Sequence, residues 1–287
     1  NADLTVRVKS IGAELTSIRS NREDLEYLWQ GDPKWWTGQS YILFPIIGGL
    51  VDGRYTLDGK AYEMNAHGFA RNMEFAVAEQ TDTRLVLHLG PNDDTLAQYP
   101  FLFDLFVSYA LDGPTLRHGL RVVNRNEGTM PFSLGAHPGF NCPLLPDEMM
   151  SDYRLVFEQP ETLESRIKTD GLLTGERVPF LAGSDTKLLD HALFKNGAAI
   201  LKGVQSRWLE IRNARNPHVI RVGLAGFPDL GIWSAANDGP YVCIEPWFGV
   251  DSTHGDDPAF EKKEGLVWLE AGKTFDCSYD MSFLREA

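Results

Sequence analysis

The stretch FLFDLFVSY at residues 101–109 alternates large apolar side chains with a more varied set. In an extended chain, one face would carry Phe101, Phe103, Leu105, Val107 and Tyr109. The other face would carry Asp104, Ser108 and two further apolar residues. This period of two is typical of a β-strand rather than a helix. The neighbouring runs 84–89 and 117–124 show the same character and are bounded by loops rich in Gly, Pro, Asn and Asp, so we expect strands on both sides.

Short β-type runs continue along the whole chain. They are Leu4–Val8, Tyr153–Phe157, Ala198–Leu201, Trp208–Arg212, Val219–Leu224, Tyr241–Glu245, Leu266–Leu269 and Thr274–Phe283. Helical periodicity is weak and predicts only about one turn each at Thr95–Tyr99 and Pro258–Lys262. Because the strands do not alternate with long helices, the pattern argues against a doubly wound α/β sheet. The sequence therefore predicts an all-β sandwich or barrel, and the lack of linkers and repeats predicts a single domain over residues 1–287.

The bulk composition limits the classes of partner. The chain has 287 residues and a net charge of −13, which leaves no electrostatic footprint for nucleic acid or an anionic membrane surface. No apolar run approaches the ~18 residues of a membrane span. Three cysteines without metal-type spacing are typical of a reducing compartment. We therefore expect a cytoplasmic monomer or homodimer with a small-molecule substrate.

Two runs carry the strongest chemical signal, SLGAHPGFN at residues 133–141 and VCIEPWFG at residues 242–249. In each, one ionisable residue, His137 or Glu245, stands among apolar residues and directly precedes a proline. Proline biases the preceding residue towards extended backbone, so each side chain would project from a strand-like segment. An imidazole and a carboxylate that face one pocket would form an acid–base pair.

Both residues also have structural interpretations. A histidine among apolar residues is often a core residue with satisfied hydrogen bonds. The flanking Gly135 and Gly139 favour function, because they would leave room for a ligand. A glutamate in so apolar a strand requires either a buried arginine or an opening into a cavity. Trp247 would supply an aromatic wall of the kind on which sugar rings stack.

Two further runs offer polar groups for a ligand. In NAHGFARN (65–72), His67 precedes a glycine that would let a ligand approach the backbone, and Arg71 could present a planar fork to oxygens. The alternative is a loop histidine and a surface arginine. In DHALF (190–194), Asp190 could accept hydrogen bonds from hydroxyls, or could be a turn or cap residue.

Other chemistries find no support in the sequence. The seven histidines form no H-x-H or H-x-x-x-H pair, so no metal site is predicted. A G-x-S-x-G elbow, a P-loop and a G-x-G-x-x-G loop are all missing from the sequence. Gly48-Gly49 is too short to indicate a phosphate-binding loop. We expect no metal and no cofactor.

Taken together, these runs resemble the aldose 1-epimerase (galactose mutarotase) family, and within it the branch of LacX-type proteins. The resemblance rests on LFP (43–45), HGFAR (67–71), GAHPGF (135–140), DHALF (190–194) and IEPW-x-G (244–249), which occur in the family's order. It implies a large antiparallel β-sandwich and an enzyme that interconverts the α and β anomers of a hexose.

The resemblance also implies a role for each matched residue. Glu245 would be the general base that takes the proton of the anomeric hydroxyl, and His137 the general acid that protonates the ring oxygen. His67 would hold the region of the ring oxygen, and Asp190 and Arg71 would bind sugar hydroxyls. Attraction between the pair would raise the pKa of the histidine and lower that of the glutamate.

The sequence departs from the family pattern at Gly49, where the resemblance implies an arginine. Arg54 and Arg71 are the residues that could supply the missing contact. The departure leaves room for a different sugar or for lost activity.

Three other functions stay open at this stage. A hexose-6-phosphate 1-epimerase is similar in its HGFARN run, although the only basic residues near it are Arg54, Lys60 and Arg71. A non-catalytic carbohydrate-binding domain on the same fold is the second alternative. The third is a glycosidase with Glu245 and Asp190 as its paired carboxylates.

Overall fold

The computed structural model describes residues 1–286, which form mainly β-strands with a few short helices. The strands are β1 (Leu4–Val8), β2 (Leu15–Ser20), β3 (Ile42–Leu43), β4 (Arg54–Leu57), β5 (Lys60–Glu63), β6 (Ala76–Gln80), β7 (Arg84–Leu89), β8 (Phe103–Asp112), β9 (Thr115–Asn124), β10 (Met130–Phe132), β11 (Leu134–Ala136), β12 (Gly139–Asn141), β13 (Tyr153–Thr169), β14 (Leu172–Leu188), β15 (Ala199–Lys202), β16 (Trp208–Asn213), β17 (His218–Gly223), β18 (Asp229–Trp233), β19 (Tyr241–Phe248), β20 (Val267–Leu269) and β21 (Thr274–Arg285).

Fifteen of these strands join one sheet, and thirteen of them lie side by side in the order β3-β11-β19-β18-β15-β13-β16-β17-β21-β9-β8-β7-β6. β12 pairs with β19 and β14 pairs with β13 beside that path. The strands of this sheet pair antiparallel. Three two-stranded sheets, β1-β2, β4-β5 and β10-β20, accompany it. The prediction of an all-β fold built as a large antiparallel β-sandwich is confirmed.

The stretch at residues 101–109 forms most of β8, which lies between β7 and β9. Phe103, Leu105, Val107 and Tyr109 are buried, as their alternation predicts. The strand begins two residues later than the pattern because the backbone N–H of residue 102 donates to the side chain of Asn126 (2.9 Å) rather than to a neighbouring strand.

Helices are few and short, as predicted. The α-helix α1 (Asp93–Gln98) begins after Asn92, whose side chain accepts from the backbone N–H of Thr95 at 2.9 Å. Short 3-10 helices span Val51–Gly53, Ala70–Asn72, Met150–Asp152, His191–Phe194 and Phe260–Lys262. Within residues 1–286, no helix has the length and apolar character needed to cross a membrane.

The long hairpin of β13 and β14 is the element that sequence reasoning missed. Only its first five residues were predicted as a strand, whereas each arm has 17 residues. Charged residues and four breaks in the register interrupt its alternation. A signal for it exists at Asp170-Gly171, where both residues have positive φ (50° and 83°) and form the two-residue turn that Asp-Gly favours between antiparallel strands.

The main hydrophobic cluster takes residues from both ends of the chain, from Leu4 to Phe283. Two smaller clusters lie apart from it. One contains Leu43, Ile47, Leu173, Ile200, Trp247 and Val250, and the other contains Trp29, Ala235, Tyr241 and Cys243. Both contribute residues of β19, so this strand lies where the core meets the aromatic region described below.

One histidine of β9 is part of the core. The side chain of His118 is fully buried, its ring stacks on Tyr109, and its Nδ1 lies 2.9 Å from the hydroxyl of Tyr279. Burial lowers the pKa of His118 to about 3. The folded protein therefore contains this imidazole in its neutral form at neutral pH.

This burial predicts an acid-sensitive fold. The stabilisation from neutral His118 is complete above the unfolded pKa of 6.5 and is lost as the pH falls towards about 3. The free energy of unfolding should decrease by up to about 1.4 kcal/mol per pH unit from this residue. In His118→Asn, which cannot take up a proton, that part of the slope should vanish between pH 6.5 and the onset of carboxylate titration. Denaturant unfolding of both proteins over this range measures it, and identical slopes would contradict the prediction.

Candidate active site

The site begins with the strand register around residue 137. β11 and β12 both pair with β19, and two residues separate them. The first ladder pairs Gly135 with Trp247, and β12 resumes the same register with no residue gained or lost on either strand. His137 therefore lies directly opposite Glu245 in the gap between the ladders. The extended backbone expected before each proline is consistent with this cross-strand arrangement.

The structure brings the two ionisable side chains into contact. Nε2 of His137 lies 3.3 Å from Oε2 of Glu245, and the residues are 6% and 1% exposed. The contact is not aligned as a hydrogen bond. Within residues 1–286, neither Oε2 of Glu245, nor Nδ1 of His137, nor Nε1 of Trp247 has a hydrogen-bond partner. Buried polar atoms without a protein partner require one from solvent or from a ligand.

Burial sets the protonation of this pair. Desolvation raises the pKa of Glu245 well above its ordinary value, although the ammonium of Lys168 acts in the opposite direction. Desolvation lowers the pKa of His137 well below its ordinary value, and the neighbouring His67 lowers it further. The predicted directions, a raised pKa for His137 and a lowered pKa for Glu245, are therefore wrong, because burial outweighs the attraction between the partners.

Aromatic rings surround the pair on several sides. The ring of His137 lies 4.8 Å from Trp36, 5.1 Å from Tyr41 and 5.7 Å from Trp233, measured between centroids. These rings and Trp247 line a cavity of about 260 Å³. This volume lies just below the range of roughly 300–1,000 Å³ of typical ligand pockets, so the cavity is at the small end of ligand sites. Sequence reasoning found Trp247 and missed Trp36, Tyr41 and Trp233; the only signal was the clustering of Trp35 and Trp36 in an otherwise polar segment.

The glycines beside the catalytic candidates make room for the indole rings. A Cβ atom at Gly135 would lie 2.7 Å from the indole of Trp247, and one at Gly139 would lie 2.9 Å from that of Trp36. Gly231 of β18 pairs with Glu245 of β19, and a Cβ atom at Gly231 would lie 2.4 Å from the indole of Trp247. The interpretation that these glycines clear space for a ligand is thus corrected: they admit the aromatic walls that shape the ligand's cavity.

His67 also lines the cavity, at the edge of the 137 imidazole. Their ring centroids are 5.8 Å apart. Nδ1 of His67 accepts a hydrogen bond of 3.2 Å from the backbone N–H of Gly48. This bond places the hydrogen of the neutral imidazole on Nε2, because an accepting nitrogen cannot carry it. Burial lowers the pKa of His67, and Lys168 and Arg71 lower it further, so the ring is a neutral donor.

Arg71 does not line the cavity but contacts Tyr41, which does. Its guanidinium lies over the ring of Tyr41, 5.1 Å from the centroid, and Nη1 donates to the Tyr41 hydroxyl at 3.3 Å. Arg71 is not among the residues that line the cavity, whereas Tyr41 is. The arginine therefore supports a wall residue in this structure.

Asp190 is a helix-cap residue in the structure, which is the structural alternative to a role in ligand binding. It is exposed, and its carboxylate accepts a hydrogen bond of 2.7 Å from the backbone N–H of Ala192 at the start of the 3-10 helix His191–Phe194. It does not line the cavity that contains Glu245. The cap geometry explains the Asp-x-Ala spacing without a ligand.

Lys168 lines the cavity and was missed in the sequence. It projects from β13, two residues before the Asp-Gly turn, and its Nζ lies 2.5 Å from Oδ1 of the buried Asp251. The same oxygen accepts from the backbone N–H of Gly49 at 2.9 Å. A Cβ at Gly49 would lie 2.9 Å from the carbonyl oxygen of Gly171, so the hairpin turn occupies the space that an arginine there would need.

Of the two arginines expected to replace that residue, neither lines the cavity. Arg54 is exposed and pairs with Asp52 at 3.3 Å, and Arg71 contacts Tyr41 as described. Among the described residues, Lys168 is the one Lys or Arg side chain on the cavity wall.

One cluster has the composition of a cation site. His137, Cys243 and Glu245 are buried, and one ligand atom from each lies within 4.8 Å of the others. Neighbouring positions on the same face of β19 account for the proximity of the thiol, which packs in the small cluster with Trp29 and Tyr241. Burial raises the pKa of Cys243 well above its ordinary value, so the group is a neutral thiol, a poor metal ligand.

The large antiparallel β-sandwich of this chain is shared with solved galactose mutarotase-like structures. The family model for aldose 1-epimerase matches residues 1–279. The chain belongs to the aldose 1-epimerase family, which acts on sugars and falls in the isomerase class of enzymes.

The relatives include the LacX protein of Lactococcus lactis subsp. lactis, in chromosomal and plasmid forms. Each is 36% identical over 294 residues, which cover 99% of this chain and 98% of theirs. Among solved structures, a galactose mutarotase related enzyme from Lactobacillus acidophilus has a TM-score of 0.94 and 33% identity over 99% of this chain and 95% of its own. A galactose mutarotase-like protein from Lactobacillus casei has a TM-score of 0.93 and 30% identity over 99% and 98%.

The packing of Trp247 generates a prediction. In Gly231→Ala, the new methyl group would overlap the indole, which must shift into the cavity or force the strands apart. Overpacking of this kind costs roughly 1–3 kcal/mol. Thermal unfolding should occur at a lower temperature, and ligand binding should weaken.

Gly128→Ala is the matched control, because a Cβ there would meet nothing within 4 Å. Calorimetric unfolding of both variants makes the comparison. Equal midpoints would show that Gly231 is not required for the position of the indole.

Proposed function

We propose that this protein is an aldose 1-epimerase that interconverts the α and β anomers of a hexose through ring opening and closure. The observation that supports it best is the 3.3 Å approach of His137 to Glu245 inside a cavity walled by tryptophans. Sugar rings stack on such walls through their C–H faces, and a proton-transfer pair is what the reaction needs. The positions of both residues match the runs on which the family resemblance rests.

Glu245 acts as the base and His137 as the acid. The carboxylate takes the proton of the anomeric O1–H while the imidazolium gives its Nε2 proton to the ring oxygen O5, and the C1–O5 bond breaks. The product is an open-chain aldehyde with a hydroxyl on C5. After rotation about C1–C2, that hydroxyl attacks the other face of the carbonyl carbon, O1 regains a proton from residue 245, and residue 137 regains one from O5.

The pair needs one proton in total for this cycle. In the buried pair that proton resides either on the carboxyl group of Glu245 or on the imidazole of His137. Nε2 and Oε2 are 3.3 Å apart, so a bound sugar that stabilises the charged forms can favour the carboxylate and the imidazolium. The Lys168 ammonium favours the carboxylate form. Coupled groups of this kind titrate as a unit rather than as separate residues.

His67 assists from the side of the imidazole. Because its Nδ1 accepts from Gly48, its Nε2–H is available to donate to a sugar oxygen. A fixed neutral donor adds orientation without adding charge beside the 137 ring. Arg71 contributes through Tyr41, whose ring and hydroxyl it contacts.

The glycosidase alternative has no geometric support, since Asp190 caps a helix outside the cavity. The phosphorylated-sugar alternative lacks an uncompensated cation on the cavity wall formed by the described residues, because Lys168 pairs with Asp251. An uncharged aldose is the substrate that fits this wall best.

The acid–base assignment is tested with Glu245→Gln. The amide has nearly the shape of the carboxylate but cannot accept the O1 proton. A positioned base contributes roughly 10²–10⁴-fold, so kcat should fall by about this factor while the aldose still binds. Polarimetry of freshly dissolved α-glucose and α-galactose follows the rate, and calorimetry follows the binding.

Glu79→Gln, at an exposed carboxylate on β6, is the control and should keep the wild-type rate. Full activity in Glu245→Gln would exclude residue 245 as the base. A wild-type protein that binds sugars yet accelerates no aldose would instead be a carbohydrate-binding domain.

The pKa directions predict the pH profile. On the acid side, activity is lost only when the pair takes up a second proton, which the lowered pKa of His137 shifts to more acidic pH. On the alkaline side, it is lost when the pair gives up its last proton, which the raised pKa of Glu245 shifts to more alkaline pH. The profile of kcat/KM should thus be flat through pH 6.5. A decline in activity centred near 6.5, the ordinary value for histidine, would contradict this account.

A further inference from the structure

Lys168 is the one Lys or Arg side chain among the described residues that line the cavity, and its own side chain is 23% exposed. It enters from the β13–β14 hairpin, far in sequence from both β11 and β19. The cavity wall thus includes a cation that belongs to none of the runs on which the family resemblance rests.

The hairpin holds Lys168 in a fixed position. Leu173, its partner across the hairpin, donates its backbone N–H to the carbonyl of Ser252 at 2.9 Å. Ser252 in turn donates to the carbonyl of Gly49 at 3.0 Å, and His254 donates to that of Leu173 at 2.8 Å. These main-chain bonds join β14 to the segment after β19 and, through Ser252, to the loop after β3. Because Lys168 pairs with Leu173 across the hairpin, they also limit the movement of the strand that carries the ammonium.

Asp251 determines what the ammonium can bind. Its carboxylate is 1% exposed, and its Oδ1 takes one of the three N–H donors of Lys168. Two donors remain. The positive charge, however, is already compensated by a buried negative charge at 2.5 Å. An ammonium in this state is a good donor to neutral hydroxyl oxygens and a weak partner for a phosphate or carboxylate group.

We propose that Lys168 binds hydroxyl oxygens of the sugar, and that Asp251 restricts the site to uncharged aldoses by neutralising the lysine. The inference rests on the proposed function for the identity of the ligand as an aldose. It assigns to Lys168 a binding role and to Asp251 a role in substrate selection.

The test uses Lys168→Met/Asp251→Asn, which removes the donors without leaving a buried unpaired carboxylate. The amide introduced at position 251 retains an oxygen for the backbone N–H of Gly49. A hydrogen bond from a charged donor accounts for roughly 10- to 100-fold in affinity, so the Kd and KM for D-glucose and D-galactose should rise by about this factor, with a much smaller change in kcat. Circular dichroism and thermal unfolding verify that the variant is folded.

Lys187→Met is the matched control, because this lysine lies on the same hairpin but donates to the carbonyl of Phe180 at 2.9 Å, away from the cavity. It should leave Kd and KM unchanged. A double variant with wild-type Kd and KM would overturn the role of Lys168.

Selection is tested with Asp251→Asn alone, which leaves the ammonium uncompensated. Affinity for D-glucuronate or glucose 6-phosphate should increase relative to glucose, whereas the wild type should prefer glucose. An unchanged ratio would overturn the role of Asp251. Calorimetric Kd values keep this test separate from catalysis: if the wild type binds glucose without accelerating mutarotation, the proposed function fails while the roles of both residues are still measured. A wild type that binds no neutral aldose would overturn the inference itself.

Discussion

The cross-strand opposition of residues 137 and 245 is the constraint on which the site depends. β11 and β12 approach β19 in one register, and the two residues between them carry His137 into the gap opposite Glu245. A shift of one residue in either strand would turn a side chain to the other face of the sheet. The 3.3 Å contact therefore depends on this register.

Burial gives this contact its chemical character. In water, the pair would carry a charge on each partner over part of the pH range. Inside the cavity, desolvation raises the pKa of Glu245 and lowers that of His137, so that the neutral form of each partner is favoured. The indole of Trp247 and its neighbours help to bury the pair, and the glycines that admit these rings are as much a part of the site as the ionisable groups. In the proposed reaction, such a pair takes a proton from one sugar oxygen and gives one to another.

Charge compensation is the basis on which we propose that this site selects uncharged sugars. The chain carries a net charge of −13, yet the wall beside Glu245 holds a lysine. Its pairing with Asp251 keeps that wall close to neutral. The hairpin turn that delivers the lysine packs against Gly49, where the resemblance led us to expect an arginine. The hairpin turn thus occupies the space that an arginine at position 49 would need, and the hairpin supplies Lys168 to the cavity wall instead.

The sequence by itself determined the fold class, because period-two alternation such as that of β8 reflects local burial on one face of a sheet. It also indicated His137 and Glu245, which prolines and apolar neighbours mark locally, and Trp247 two residues after Glu245. His67 was indicated by the adjacent Gly68 and by the family resemblance. Only the tertiary structure decided the rest. Residue 190 could be read as a ligand or a cap, and the choice depended on which atoms surround it. The aromatic walls, Lys168 and the pKa directions depend on contacts between segments distant in the chain, and on a degree of burial that no local pattern contains.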